Sequence, residues 1–342
     1  MKNTKIITRL MAASLSAVLL FTGCGLTGSN KTFATLNDQK ITMGFANFAA
    51  HYQQATYDQL YVDFVGEDYW SQDLYGSGND METDIKAQIA DSIRQMYILD
   101  NHKDEYGISI SADEQKKIDD AVAKFMAANS KKALDKIGAT DEYVAEYLRL
   151  ALVSTKTEAA VKKTLDPGYT MEDAAQKGIT YVAVSQNGSY DDEGNPVEYT
   201  DEEKAAVKTA VEELAKVKPE ELEAKSEEKD YTAMPVTFGE DDTVVPDVVK
   251  EAVASLEVGQ MSGVLDDGDR YYLVRYDSEY DEEATKEHLE TMTLSAEDEA
   301  FNELMTQWGS ECTWEINTKE WDKVRFNFLF TAPQTEEENA EG

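Results

Sequence analysis

Phe238-Gly239, Val245-Pro246-Asp247, Ala252-Val253-Ala254-Ser255-Leu256-Glu257-Val258-Gly259-Gln260-Met261-Ser262-Gly263-Val264 and Tyr271-Tyr272-Leu273-Val274-Arg275 follow one another in one stretch of a 342-residue chain. Pro246 opens a helix that the apolar spacing carries to Leu256, since proline fits the first turn where its missing N–H is not needed. Met261–Leu265 and Tyr271–Tyr276 read as two strands around Asp266-Asp267-Gly268-Asp269, a turn in which glycine can take positive φ. Upstream, Ile179–Val184 reads as a strand and the Gly-, Asp- and Asn-rich Asn187–Pro196 as a loop. Thr200 with Glu203 forms a capping-box pair for a helix running to about Val217. Together these make a compact βα…αββ module at residues 175–285.

Before that module the periodicity is helical. Thr32–Ile41 alternates weakly around Leu36-Asn37-Asp38-Gln39-Lys40, a short hairpin or strand leading into a helix with Phe45, Phe48, Tyr52 and Ala55 on one face. The aromatic stretch Tyr57–Tyr75, with Gly66 inside it and Gly76 and Gly78 just beyond it, is read as the end of that helix and a long loop. Ile85, Ile89, Ile93, Met96 and Leu99 mark a second helix. Ser111 and Glu114 cap a third with Ile118, Val122 and Phe125, and Thr140 opens a fourth with Val144, Leu148 and Leu152. Residues 32–168 are thus a helical region. A helix from Ser295 carrying Phe301, Leu304, Met305 and Trp308, then Cys312, Trp314 and Ile316 on one strand face, make residues 286–330 a segment that returns to it. Residues 331–342 are an acidic tail expected to be disordered.

The chain carries 68 acidic against 32 basic side chains, a formal net charge of −36. That excludes nucleic acid as a partner, because binding it requires cations against phosphates. Cys24 and Cys312 are the only cysteines, and His51, His102 and His288 are far apart, which leaves no cysteine zinc site and no support for a histidine centre. Asp191-Asp192-Glu193, Glu240-Asp241-Asp242 and Asp281-Glu282-Glu283 lack the spacing of an EF-hand loop and read as solvated surface.

Lys2, Lys5 and Arg9 precede the apolar run Leu10–Phe21, too short to span a bilayer, so residues 1–23 form a secretory signal. Leu20-Phe21-Thr22-Gly23-Cys24 resembles a bacterial lipobox, which implies a diacylglycerol on Cys24 and a membrane-anchored, extracytoplasmic chain. Residues 24–31 are then a tether, and loss of the basic signal takes the charge from −36 to −39.

The lipobox, helical region, α+β module and returning C-terminal helix resemble PrsA-type foldase lipoproteins and the related SurA chaperones. The module itself resembles a parvulin domain, a small peptidyl-prolyl isomerase. The resemblance implies an α+β fold with a helical chaperone region and an inserted parvulin-like domain, with unfolded or nascent secreted polypeptides as partners and no cofactor or metal. Parvulins place histidines on the first and last strands; the matching positions here are Tyr181 and Tyr272. The family's pocket Phe falls at Val248 and a nearby Met at Val244. Tyrosine donates a hydrogen bond but cannot reproduce an imidazole tautomer pair, so the module is read as degenerate. The candidate client-binding side chains are Phe45, Phe48, Tyr52, Met96 and Phe125. The alternatives are an isomerase with an altered pocket and a structural or ligand-binding surface lipoprotein.

Overall fold

The computed structural model describes residues 30–190 and 193–330; the signal at 1–23, Cys24 with most of the tether, and the tail at 331–342 lie outside the described residues. The chain divides into two units, Met1–Leu165 with Asp298–Gly342, and Asp166–Glu297.

The first unit opens with a hairpin, β1 (Thr32–Leu36) and β2 (Gln39–Thr42), turning at Asn37. The Thr42 hydroxyl accepts from Phe45 N–H and starts α1 (Met43–Val65), which outlasts the sequence expectation by continuing into the aromatic stretch as far as Val65. Tyr57 and Tyr61, one turn apart, stack at 5.6 Å, so the rings sustain the helix until Gly66 ends it at φ 110°. Next come α2 (Met81–His102), α3 (Ala112–Ala128) and α5 (Asp141–Lys162), with the short α4 (Lys131–Ile137) between the last two. The Ser111–Glu114 capping box is formed in full, and Thr140 caps α5. Only Ala133 and Ile137 of α4 are buried, too few apolar positions to show a period in the sequence.

In the second unit, β3 (Lys177–Ser185) is followed by β4 (Gly188–Tyr190) and β5 (Pro196–Glu198), a small hairpin where the sequence suggested only a loop. Then come α6 (Asp201–Leu214), with its Thr200–Glu203 capping box, α7 (Leu222–Glu227), β6 (Ala233–Phe238) and α8 (Asp247–Val253). α8 stops three residues short of the expected Leu256. The strand expected at Met261–Leu265 shrinks to β7 (Leu265–Asp266), with Met261 making one isolated bridge to Arg275 on β8 (Arg270–Ser278). The antiparallel sheet runs β6-β3-β8-β7. One face carries Ile179, Tyr181 and Ala183 beside Tyr272, Val274 and Tyr276 and is covered by Val249 and Val253 of α8. The other carries Val182, Val184, Tyr271 and Leu273 under Val211 and Leu214 of α6 and Leu222 of α7. Alternation along each strand thus builds two apolar layers.

The helix expected from Ser295 is α9 (Glu282–Glu311), which begins in the second unit and ends in the first. Its early turns have no apolar stripe and rest on helix-favouring Glu, Ala, Lys and Leu, so periodicity could not reveal them. β9 (Trp314–Ile316) pairs with β1, giving the sheet β2-β1-β9, and α10 (Thr318–Trp321) follows. Phe301 and Trp308 join Phe33, Phe45, Ile85, Ile89 and Ile93 in the main core of the first unit, while Phe330 joins Phe48, Ile118, Val122 and Leu148 in a second cluster. Among the described residues no helix is long and apolar enough to cross a membrane.

Candidate functional site

In the second unit, Ala183 pairs with Tyr272 across β3 and β8, so Tyr181, two residues away on the same face, is the diagonal neighbour of Tyr272. Their ring centroids lie 6.4 Å apart, tilted by 46°. Val248, half-buried on α8, packs on the same apolar cluster. Val244 does not: it is 83% exposed on the loop before α8.

The Tyr272 hydroxyl is already engaged. It donates to Asp267 Oδ2 at 2.8 Å, while Asp267 Oδ1 accepts from the Asp269 and Arg270 amides at 2.9 and 2.7 Å. Gly268 closes this turn at φ 95°. Burial, then the Asp267 hydrogen bond, pushes the Tyr272 phenol up to about 12, so it stays a neutral donor at physiological pH. The amides of Arg270 and Asp269, then the Tyr272 hydroxyl, hold the Asp267 carboxyl below the usual range. The pair is a closed donor–acceptor couple that pins the β7–β8 turn.

The helical candidates fall into separate places. Phe45 and Phe48 are 3% and 1% exposed and serve as core. Phe48, Tyr52, Phe125 and Tyr147 form one aromatic cluster, with Tyr52 5.5 Å from Tyr147 and 6.1 Å from Phe125. Half-buried Met96 instead lines a cleft of about 250 Å³ between α1 and α2, with Ala49, Gln53, Tyr57, Ile89 and Tyr147. Two residues that periodicity did not single out are the most exposed large apolar side chains among the described residues of the first unit: Leu60 and Phe64, one turn apart at the end of α1, are 59% and 89% exposed. Their spacing in an aromatic stretch was the available signal, masked by the assignment of that stretch to a loop. Among the described residues no group of three or more His, Cys, Asp and Glu is arranged to hold a metal ion.

Residues 187–290 match the family model of the PPIC-type PPIASE domain. The match takes in Val244, Val248 and Tyr272 but begins after β3, so Tyr181 lies outside it. Among solved structures, the chain is similar to the foldase protein PrsA of Streptococcus pneumoniae, at 20% identity, covering 74% of this chain and 97% of that one, with a TM-score of 0.31. It is also similar to a structure from the SurA-like pair PEB4 and Cj1289 of Campylobacter jejuni, at 12% identity, 84% and 99% coverage and a TM-score of 0.28. The PrsA peptidylprolyl isomerase of Bacillus cereus aligns at 13% identity, 75% and 97% coverage and a TM-score of 0.30. No curated protein matches.

Proposed function

We propose that this chain, which carries a PPIC-type, parvulin-like domain over residues 187–290, is a lipid-anchored extracytoplasmic chaperone that holds unfolded secreted polypeptides. In this reading the parvulin-like domain contributes structure or binding and does not catalyse isomerisation. The observation that carries the chaperone reading is the pair Leu60 and Phe64, large apolar side chains held out to solvent on consecutive turns of one helix. The adaptable side chain of Met96 in the nearby cleft supports weak, unspecific apolar binding. Anchoring rests on the lipobox-like Leu20–Cys24, and the extracytoplasmic location on the signal before it.

The catalytic part of the reading rests on chemistry. Prolyl isomerisation has a barrier near ~20 kcal/mol and proceeds by twisting the amide, so a catalyst needs a shaped apolar pocket with free hydrogen-bonding groups. Tyr272 is engaged by Asp267, and Val248 is smaller than the Phe that the family resemblance places there.

One experiment tests both halves. The purified mature chain should suppress aggregation of an unfolded client, and Leu60→Ser with Phe64→Ser should weaken that protection without loss of fold, because both side chains are exposed. The same protein should leave a proline tetrapeptide at its uncatalysed exchange time, tens to roughly hundreds of seconds at 25 °C. Tyr181→His, Tyr272→His and Val248→Phe together should raise the rate where single changes do little, since neighbouring pocket residues couple. Isomerase activity in the unchanged protein, abolished by Tyr272→Ala without unfolding, would make the enzyme reading correct. Absence of any protection against aggregation would remove the chaperone reading.

The anchor has its own check. Cells fed a labelled fatty acid should label the wild-type chain and not Cys24→Ala, and equal label in both would show that Cys24 is not the acylated residue.

A further inference from the structure

After α10 the chain runs as an extended segment, Val324–Phe330, along α1 and α2 of the first unit, and it is held there in an unusual manner. Lys86 Nζ donates to Val324 O at 2.8 Å, Glu82 Oε2 accepts from Phe326 N–H at 3.0 Å, Gln54 Nε2 donates to Phe328 O, and Asp58 Oδ2 accepts from Phe330 N–H at 2.8 Å. Each contact falls on the backbone of every second residue. Among the described residues, no backbone group from Arg325 to Phe330 pairs with another backbone group. From Val324 to Phe328 the side chains keep the same period. Val324, Phe326 and Phe330 are buried and Phe328 is half-buried, whereas Arg325 and Asn327 face solvent; Leu329 departs from the alternation and is half-buried against the main core. Phe326 sits 4.6 Å from the Trp70 ring, and Phe328 lies 5.2 Å from His51 with Lys136 Nζ 3.8 Å from its centroid.

We infer that the strip of α1 and α2 bearing Gln54, Asp58, Glu82 and Lys86 is a binding groove for an extended polypeptide with apolar side chains at alternate positions, and that Val324–Phe330 is its resident and displaceable occupant. Contacts to backbone groups do not depend on which sequence supplies them, and the pockets select only for apolar bulk at alternate positions. A strand built into a sheet would break a ladder on leaving; this segment belongs to no helix or sheet, so its departure breaks none. The groups it would uncover include two carboxylates, an ammonium and an amide, which water can satisfy, beside the apolar surface that Val324, Phe326 and Phe330 cover in the two core clusters. The segment therefore acts as a plug that an incoming chain of the same pattern can replace, which couples capture of a client to opening of the helical unit. This deepens the chaperone reading and rests on it for the identity of the displacing chain.

The test uses the full-length protein and a synthetic peptide of residues 323–331, Lys-Val-Arg-Phe-Asn-Phe-Leu-Phe-Thr. Hydrogen exchange at the Phe326 and Phe330 amides should proceed by local opening, at least about tenfold faster than at Ile89 and Ile93 in the middle of α2. Excess peptide should accelerate exchange at Phe326 and Phe330 severalfold and leave Ile89 and Ile93 unchanged. A peptide of the same composition with its apolar residues consecutive should have no effect. Exchange of Phe326 and Phe330 only through global unfolding, or insensitivity to the matching peptide, would overturn the groove. If the peptide leaves the segment in place while the protein still suppresses client aggregation, the groove alone falls. If the peptide displaces it but no client is protected, the groove stands and the chaperone reading falls.

Discussion

Asp58→Ala is expected to lower the unfolding free energy of the helical unit by about 3–4 kcal/mol, at an exposed cost of roughly 1–3 kcal/mol for each buried donor left without a partner. Asp58 is 2% exposed and accepts from the Tyr69 hydroxyl at 2.7 Å, the Trp70 indole N–H at 2.8 Å and the Phe330 amide at 2.8 Å, with Gln54 Nε2 more distant at 3.4 Å. Truncation strands the first three, whereas Gln54 keeps its bond to the Phe328 carbonyl. Part of the loss is offset, because burial outweighs these hydrogen bonds and raises the Asp58 carboxyl above its ordinary value, so the charge is held at a cost. Asp58→Asn should fall between the two proteins: its carbonyl can still accept, but its NH₂ would face another donor. Urea unfolding followed by tryptophan fluorescence isolates the effect, because all four tryptophans, Trp70, Trp308, Trp314 and Trp321, belong to the first unit. A change below about 1 kcal/mol would show that water replaces the carboxylate and that the cluster is not a structural keystone.

Local chemistry was the readable part of this chain. The capping pairs Ser111–Glu114 and Thr200–Glu203 work within one turn of helix, and the Asp267-Gly268 turn needs only a residue that tolerates positive φ, so each was visible where it stands. β6 escaped because Ala233-Met234-Pro235-Val236-Thr237-Phe238 holds a proline, which argues against a central strand. It is an edge strand, and Pro235 lies opposite Thr180, where the missing N–H is tolerated. Of the candidate site, the resemblance placed Tyr181, Tyr272 and Val248, and these converge on one face; Val244 does not, because a loop position carries no face. Nothing in the sequence tied Asp58 to Phe330, 272 residues away, or Glu82 to Phe326, 244 away. A lone acidic residue in a helix reads as solvated until the fold brings a distant backbone to it.

Acidification from pH 6.5 to about 4 should remove about 3 kcal/mol of helical-unit stability through His51 alone, at roughly 1.4 kcal/mol per pKa unit. His51 is enclosed between Phe326 and Phe328, with ring centroids at 5.7 and 5.2 Å, and burial lowers its imidazole to about 4. Lys136 and Lys86 push the same way, while the hydrogen bond to Gln54 opposes them. Gln54 donates its amide hydrogens to Phe328 O and Asp58, so its oxygen must accept, which fixes the neutral His51 as the Nδ1–H tautomer at 2.9 Å. Between pH 6.5 and 4 the unfolded chain takes up a proton that the folded chain refuses. Stability is therefore intact above 6.5, declines through that window, and levels off below 4 where both states are protonated. Asp58 acts in the opposite sense: its raised carboxyl lets the folded state bind a proton more readily than the unfolded chain just above the ordinary Asp range. The His51 contribution is therefore read as the difference between wild type and His51→Gln, each measured by tryptophan-monitored urea unfolding at intervals from pH 7 to 4. That difference should move by about 3 kcal/mol against wild type on acidification. A flat difference would mean that His51 protonates in the folded chain without cost, its ring already reached by water beside Phe326 and Phe328.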